Sequence, residues 1–335
     1  MSDNQNRQFL RQYDLMIGES GKGGLHLTSE DKSNDTGISG LRVSFEIVKD
    51  ASSKTNKSKI KIWNLSDKSL DIIEKEDIMI DLSVGYKEDI GPVRIFIGTS
   101  ASVKTKEDNN GMDVVTEIEA LDGGIAVRDS IISMSAPQGS STINLIKACA
   151  KKMGLAYNIS SDVEDKPYPN GLSFCNYSRY LMDALCEKLG ASWSIQNGIA
   201  QITLNKGTSG YKGIKFNAST GLIGRPERMV ISSKVANVKS PNSTTETKTI
   251  REEVETTGKR FSKKKIVETA KKSKTNEKTG WKIKTLLAPT VIPGEEVEIE
   301  SNSVVGRFKV DKVTHTGDIY GSEWFSEIEV VEIPK

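Results

Sequence analysis

Residues 78–84 alternate without a break: Ile78, Ile80, Leu82 and Val84 share one face, and Met79, Asp81 and Ser83 share the other. A period of two puts successive side chains on opposite sides of a half-buried strand. Leu41, Val43, Phe45 and Ile47 repeat the pattern, and further strands are expected at 60–65, 93–97 and 100–104, with Gly98 as a bulge or bend. Between them, 66–76 reads as a short helix. Ser66 is placed to cap it, and Leu70, Ile72 and Ile73 give it an apolar side. Residues 1–38 hold few apolar positions and five glycines (Gly18, Gly21, Gly23, Gly24 and Gly37), and read as loosely built.

The last strands echo earlier ones. Residues 103–120 and 313–330, aligned without a gap, agree at Val103/Val313, Asp108/Asp318, Gly111/Gly321, Glu117/Glu327, Ile118/Ile328 and Glu119/Glu329. Each segment is a strand end, a polar turn holding Asp and Gly, and a departing strand with one apolar and one acidic face. A chain with two copies of one β unit would leave this trace.

The middle of the chain changes period. Ile143, Leu145, Ile146, Cys149, Ala150 and Met153 have helical spacing, and Gly154 is placed to stop the helix. A second helix is expected over 178–189, stopped by Gly190. The two helix–strand units superpose 36 residues apart, at Leu145/Leu181, Ala148/Ala184, Lys152/Lys188, Gly154/Gly190, Tyr157/Trp193 and Ile159/Ile195. Asn197-Gly198 then signals a tight hairpin. From about 207 the pattern is β again, through 230–238, 281–287, 297–299 and 307–313, with a turn at Pro293-Gly294. The fold class predicted is mainly β, with an α/β insert.

Charge changes the picture in one place. The chain's net charge is +2, but 239–284 holds 14 Lys and Arg against 6 Asp and Glu, leaving the remainder net acidic. The basic centre, 259–274, contains Lys259, Arg260, Lys263, Lys264, Lys265, Lys271 and Lys272 with one acid, Glu268. It reads as a solvated β-hairpin or loop reaching an acidic partner. Phe261 stands alone, without the interleaved aromatics of a nucleic-acid groove.

Candidate chemistry is sparse. The three cysteines, Cys149, Cys175 and Cys186, have no metal-ligand spacing; Cys149 and Cys186 read as core thiols, in keeping with a reducing compartment. No secretory signal or membrane span is expected. Two histidines occur. His315 lies close to Asp318, a pair that acid–base chemistry could use, but packing at a strand end is the plainer reading. The glycines of 18–24 lack the spacing and the preceding strand of a phosphate loop. No catalytic residue, metal site or cofactor is expected.

The run 286–333 resembles the baseplate hub proteins of contractile-tailed bacteriophages, the late-control D or tail-hub family. It does so at Pro293-Gly294, Gly306, Phe308, Val310, Val313, His315, Gly317, Asp318, Gly321 and Trp324. The runs 60–69 and 84–103 resemble the start of the same family, and Gly190, Trp193 and Asn197-Gly198 its middle. Residues 239–280 match nothing in it.

The resemblance implies a non-enzymatic structural virion protein. Two tail-tube-like β-barrel domains, 41–129 and 206–335, would flank an α/β module at 130–205, with an N-terminal extension at 1–40 and a basic insertion at 239–280. It implies a homotrimer, assembled in the host cytoplasm, that lines the DNA channel of the tail baseplate. The hub would join the six-fold tail tube protein to the three-fold central spike protein, beside baseplate wedge proteins and the tape measure protein. Genome DNA would pass without specific binding, and no membrane is bound. Gly306, Phe308, Trp324 and Ile328 are expected in the core of the closing strands, and the basic residues of 259–272 on a partner-contact arm. The alternatives are a tail-associated cell-wall hydrolase, the hub part of a secretion-system spike, and an unrelated all-β binding module.

Overall fold

The computed structural model describes residues 10–19, 23–29, 38–51, 55–108, 111–205, 207–232, 249–256, 259–266 and 277–333. They fall into two units, Met1–Met229 with Gly280–Lys335, and Val230–Thr279.

The first β half comprises β1 (Arg11–Gly18), β2 (Gly24–Thr28), β3 (Ile38–Ser39), β4 (Val43–Asp50), β5 (Lys57–Trp63), helix α1 (Asp67–Ile73), β6 (Met79–Tyr86), β7 (Val93–Glu107) and β8 (Val114–Leu121). A helix–strand module follows: α2 (Gly124–Asp129), β9 (Ile131–Ala136), β10 (Ser140–Ser141), α3 (Thr142–Lys152), β11 (Ala156–Ile159), β12 (Pro167–Tyr168), β13 (Leu172–Tyr177), α4 (Ser178–Leu189), β14 (Ala191–Gln196) and β15 (Ile199–Leu204). The chain returns to β structure with β16 (Tyr211–Phe216), β17 (Leu222–Ser232), β18 (Thr249–Thr256), β19 (Lys259–Ile266), β20 (Glu277–Leu286), β21 (Glu296–Glu300), β22 (Val305–Asp318) and β23 (Trp324–Glu332). The fold is mainly β with an α/β insert.

One 14-stranded sheet runs through both β halves, in the order β17-β20-β23-β22-β4-β5-β8-β7-β6-β1-β2-β3, with β21 also on β22 and β16 on β21. Among the described residues no pairing closes either half into a barrel.

The echo in the sequence is an echo in the register. β7 pairs with β8 through Ser100↔Ala120, Ser102↔Glu119 and Val103↔Ile118, with a bulge between Ser100 and Ser102. β22 pairs with β23 through Val310↔Val330, Lys312↔Glu329 and Val313↔Ile328, with a bulge between Val310 and Lys312. Every residue stands 210 positions from its counterpart, the bulge included. The turns agree as well: the Asp108 N–H donates to the Asp113 carbonyl, and the Asp318 N–H to the Glu323 carbonyl. The correspondence extends to the next strand, since Trp63 of β5 faces Val115 as Leu286 of β20 faces Phe325. A conserved bulge with its register is a structural feature in its own right, not a by-product of two generic hairpins.

Three apolar cores hold the first unit. Leu15, Ile47, Ile60, Ile80, Phe96 and Ile118 belong to the first, which also takes in Leu287 and Trp324 from beyond the module. Ile146, Cys149, Met182, Leu185, Ile195 and Ile202 centre the module. Ile283, Val297, Val310, Val313, Ile328 and Val330 centre the second half. Ser66 caps α1 and Ser141 caps α3 through their side chains, and Gly190 ends α4 with φ +73°.

Two expectations are corrected. The segment read as loosely built supplies β1 and β2, whose Tyr13, Leu15, Ile17, Leu25 and Leu27 are buried. Gly18 and Gly24 serve close approach rather than looseness: a Cβ on Gly24 would lie 2.4 Å from the Ile17 carbonyl oxygen. Gly98 is no bend. β7 runs unbroken through it and bulges instead at Ile95 against β6 and at Ala101 against β8. Gly98 is needed there because a Cβ would lie 2.4 Å from the Leu121 oxygen and 2.7 Å from the Phe96 ring.

Candidate functional site

The two β halves meet where β4 lies antiparallel on β22, from Lys312↔Asp50 to Asp318↔Ser44. Asp318, at the end of β22, anchors this junction. Its Oδ1 accepts the N–H groups of Tyr320 and Gly321, and its Oδ2 accepts Arg42 Nη2 at 2.7 Å. Arg11 donates to the Asp318 carbonyl at 2.9 Å, so a β1 side chain also holds this turn. Burial works to raise the Asp318 carboxyl, but the Arg42 and backbone bonds outweigh it and hold it below the usual carboxylate range.

The module docks beside this junction through the β14–β15 turn. Asn197 and Gly198 adopt φ +54° and +76°, the left-handed pair that an Asn-Gly hairpin turn requires. Both turn N–H groups donate to Asp122, at 2.7 and 3.0 Å. The Asn197 Oδ1 accepts Lys49 Nζ at 2.7 Å. Asn56 Nδ2 donates to the Ile195 carbonyl and to Gln196 Oε1, and Gln196 Nε2 donates to the Asp50 carbonyl.

This polar cluster is closed to solvent. Lys49 and Asp122 are 0 % exposed, as is His315 on the neighbouring strand. Burial pushes Lys49 down to about 8, partly offset by Asp122 and Glu295. Burial also pushes Asp122 up to about 6, against the Gly198 N–H, the Lys49 charge and the Asn197 N–H. His315 is held well below the ordinary histidine value by burial and then by the Lys49 charge, while its Nδ1 meets Ser326 Oγ at 2.8 Å. The Ser326 hydroxyl in turn accepts the Ala288 N–H. His315 is therefore a neutral, packed residue; Asp318 faces Arg42 instead.

Phe308, Trp324 and Ile328 are buried, Trp324 in the first core and the other two in the third. Gly306 lies against Phe308, where a Cβ would sit 3.4 Å from the ring. Lys259, Arg260, Lys263, Lys264 and Lys265 lie on β19, which pairs antiparallel with β18, Glu252 opposite Lys263 and Glu255 opposite Arg260. Lys271 and Lys272 lie outside the described residues. Cys149 and Cys186 are buried, and burial pushes both thiols up to about 12; Cys175 is exposed. His26 lies 3.2 Å from Asp14 on the paired β1–β2 strands. Among the described residues no group of His, Cys, Asp and Glu could hold a metal ion, and no helix is long and apolar enough to cross a membrane.

No protein-family model matches the chain, and no curated protein matches it. Solved structures do. The 43 kDa tail protein of prophage MuSo2 from Shewanella oneidensis aligns with TM-score 0.58 at 11% identity, covering 96% of this chain and 98% of that one. The fold is that of phage tail proteins. A tail protein from Neisseria meningitidis MC58 aligns with TM-score 0.56 at 9% identity, covering 96% of both chains. The E. coli c3393 protein, described as a type VI secretion component similar in structure to the T4 tail proteins gp27 and gp5, aligns with TM-score 0.52 at 10% identity. It covers 88% of this chain and 74% of that one. A tail fold of this kind accords with the baseplate-hub resemblance in the sequence.

Sequence reasoning missed the Lys49–Asp122 cluster and the Arg11 and Arg42 clamp. Only the Asn197-Gly198 turn gave a signal, and that signal was of a hairpin rather than of a docking point.

Proposed function

We propose that the protein is the hub subunit of a tail baseplate, a structural and non-enzymatic virion component. Three copies form a ring that joins a six-fold tail tube to a three-fold spike and surrounds the path of the DNA. The observation that carries this reading is the duplicated hairpin with its shared register and bulge, in a chain with the fold of tail proteins. Three chains with two equivalent β units each offer six similar surfaces to the tube and one three-fold axis to the spike. In this reading 41–129 and 206–335 are the two tube-like domains, 130–205 is the module between them, and 239–280 is an arm that reaches a neighbouring tube, spike, wedge or tape measure component.

A second reading, the hub part of a secretion-system spike, is favoured by the likeness to the E. coli secretion component. Deleting the coding sequence and imaging the particles separates the two. A tail hub leaves tails that lack a baseplate and do not infect, restored by the protein in trans. Intact, infectious tails in the deletion strain refute the hub reading.

A further inference from the structure

The two copies of the β unit differ in what covers them. On β22 the stretch 312–317 is covered by β4, and Val313, His315 and Gly317 are buried. Its counterpart on β7 is 102–107. Among the described residues this stretch pairs with β8 on one edge, while on the other edge β6 reaches only from Val93 to Thr99. Lys104, Thr105, Lys106 and Glu107 are exposed. The same strand, with the same register to its hairpin partner, thus has a covered edge in one copy and an open edge in the other.

The repeat also identifies the strand that corresponds to β4. β5 matches β20 residue for residue through their partners on β8 and β23. The Trp63 N–H donates to the Arg42 carbonyl as the Leu286 N–H donates to the Gly221 carbonyl, which equates the approach to β4 with the approach to β17. Among the described residues β17 ends the sheet path, and its outer edge is open as well. Phe45 and Lys49 of β4 are buried, whereas their counterparts Gly224 and Arg228 of β17 are exposed; Pro226 is buried like its counterpart Ile47.

Resting on the hub reading, we propose that β17 of one subunit adds antiparallel to residues 102–107 of β7 in the next, as β4 adds to β22 within a subunit. The occupant of each open edge is a second copy of this chain. Head-to-tail repetition of one such contact closes a ring when the rotation allows, and it removes both open edges. Transferring the β4–β22 register sets Lys104 opposite Glu227, with Ser102 opposite Met229 and Thr105 opposite Pro226. Lys104 and Glu227 are of opposite charge. Pro226 takes the place of Ile47 and has no N–H to give, so this ladder is one hydrogen bond shorter than its internal counterpart.

Disulfide trapping tests the pairing. The Ala51 N–H donates to the Asp311 carbonyl, so by alternation Val48 and Thr314 form a non-hydrogen-bonded pair. Lys104 and Glu227 inherit that geometry, whose Cα separation of about 4.5 Å suits a disulfide. The full chain carries Cys175→Ser with Lys104→Cys and Glu227→Cys, and is oxidised both as purified protein and in tail particles. The expected product is a reducible three-chain species in the particles, absent from either single-cysteine variant and from a control pairing Lys104→Cys with Ser39→Cys. Native mass measurement of the unmodified assembly runs alongside. Trimers without a 104–227 disulfide, or a disulfide within one chain, overturn the edge assignment and leave the hub reading standing. Absence of the protein from tail ends overturns both.

Discussion

Truncating Trp324 tests how the two β halves are held together. Trp324 begins β23, in the second copy of the repeat, yet it is 3 % exposed and packs in the core of the first. Its ring meets Phe45 edge-on at 5.4 Å and Tyr86 at 6.5 Å, and the Arg11 guanidinium lies 5.5 Å from its centroid. Gly317 leaves the room: a Cβ there would lie 2.3 Å from Phe45 and 2.8 Å from Trp324. Removing a buried Trp to Ala costs about 3–5 kcal/mol, with about 0.5–1.5 kcal/mol for each aromatic pair lost, some of it already within the first figure. An expected loss of about 4–6 kcal/mol is a large share of a typical total of about 5–15 kcal/mol. Trp324→Phe keeps an apolar ring and should cost about 1–2 kcal/mol. Urea unfolding followed by far-ultraviolet circular dichroism reads both variants. The alanine variant should show a much lower midpoint, and the phenylalanine variant a small shift. A Trp324→Ala protein with the wild-type midpoint would refute the packing described here.

Other perturbations follow from the buried cluster and the arm. Lys49→Met removes the cation acting on Asp122 and should cost about 3–5 kcal/mol at pH 7, because it leaves a buried carboxylate uncompensated. Asp122 is already raised to about 6, so the native state takes up a proton there before the unfolded state does, and the penalty should shrink as pH falls from 7 to 5. A penalty that grows over that range, read by denaturation at each pH, contradicts the cluster. His315 has a depressed pKa, so its contribution is present above the ordinary histidine value and is lost as pH falls through the folded one. Nitrogen-15 imidazole shifts should report a neutral ring at pH 6, and a charged ring there would place His315 elsewhere. Deleting residues 240–279 with a short bridging turn should leave a folded protein that no longer joins its partner in pull-down from tail lysates; tight, salt-sensitive DNA binding by the wild type, lost on deletion, would assign the arm to DNA instead.

Local periodicity carried much of the fold. The alternation of Ile80, Leu82 and Val84, the capped helices at Ser66 and Ser141, and the Asn197-Gly198 turn are each specified by neighbours in the chain. The 103–120 and 313–330 echo was legible because a hairpin's register is written in its own two strands. β1 was not, although Tyr13, Leu15 and Ile17 alternate, because Gly18 and Gly24 read as loop when they are sites of strand contact. Lys49 continues the inward face of Val43, Phe45 and Ile47, but a lysine there is readable as buried only once Asn197, 148 residues away, is known to meet it. The β4–β22 junction joins segments with no local mark of each other, and hydrophobic pattern cannot say which strand edges meet.

Averaged images of assembled tails, with the hub located by a small fused tag, would count its copies and place them in the particle. A trimeric hub should show three tags around the tail axis at the baseplate, and a hub layer with six similar β units between tube and spike. A two-fold or four-fold hub layer, or tags along the tube or outside the baseplate, would contradict it.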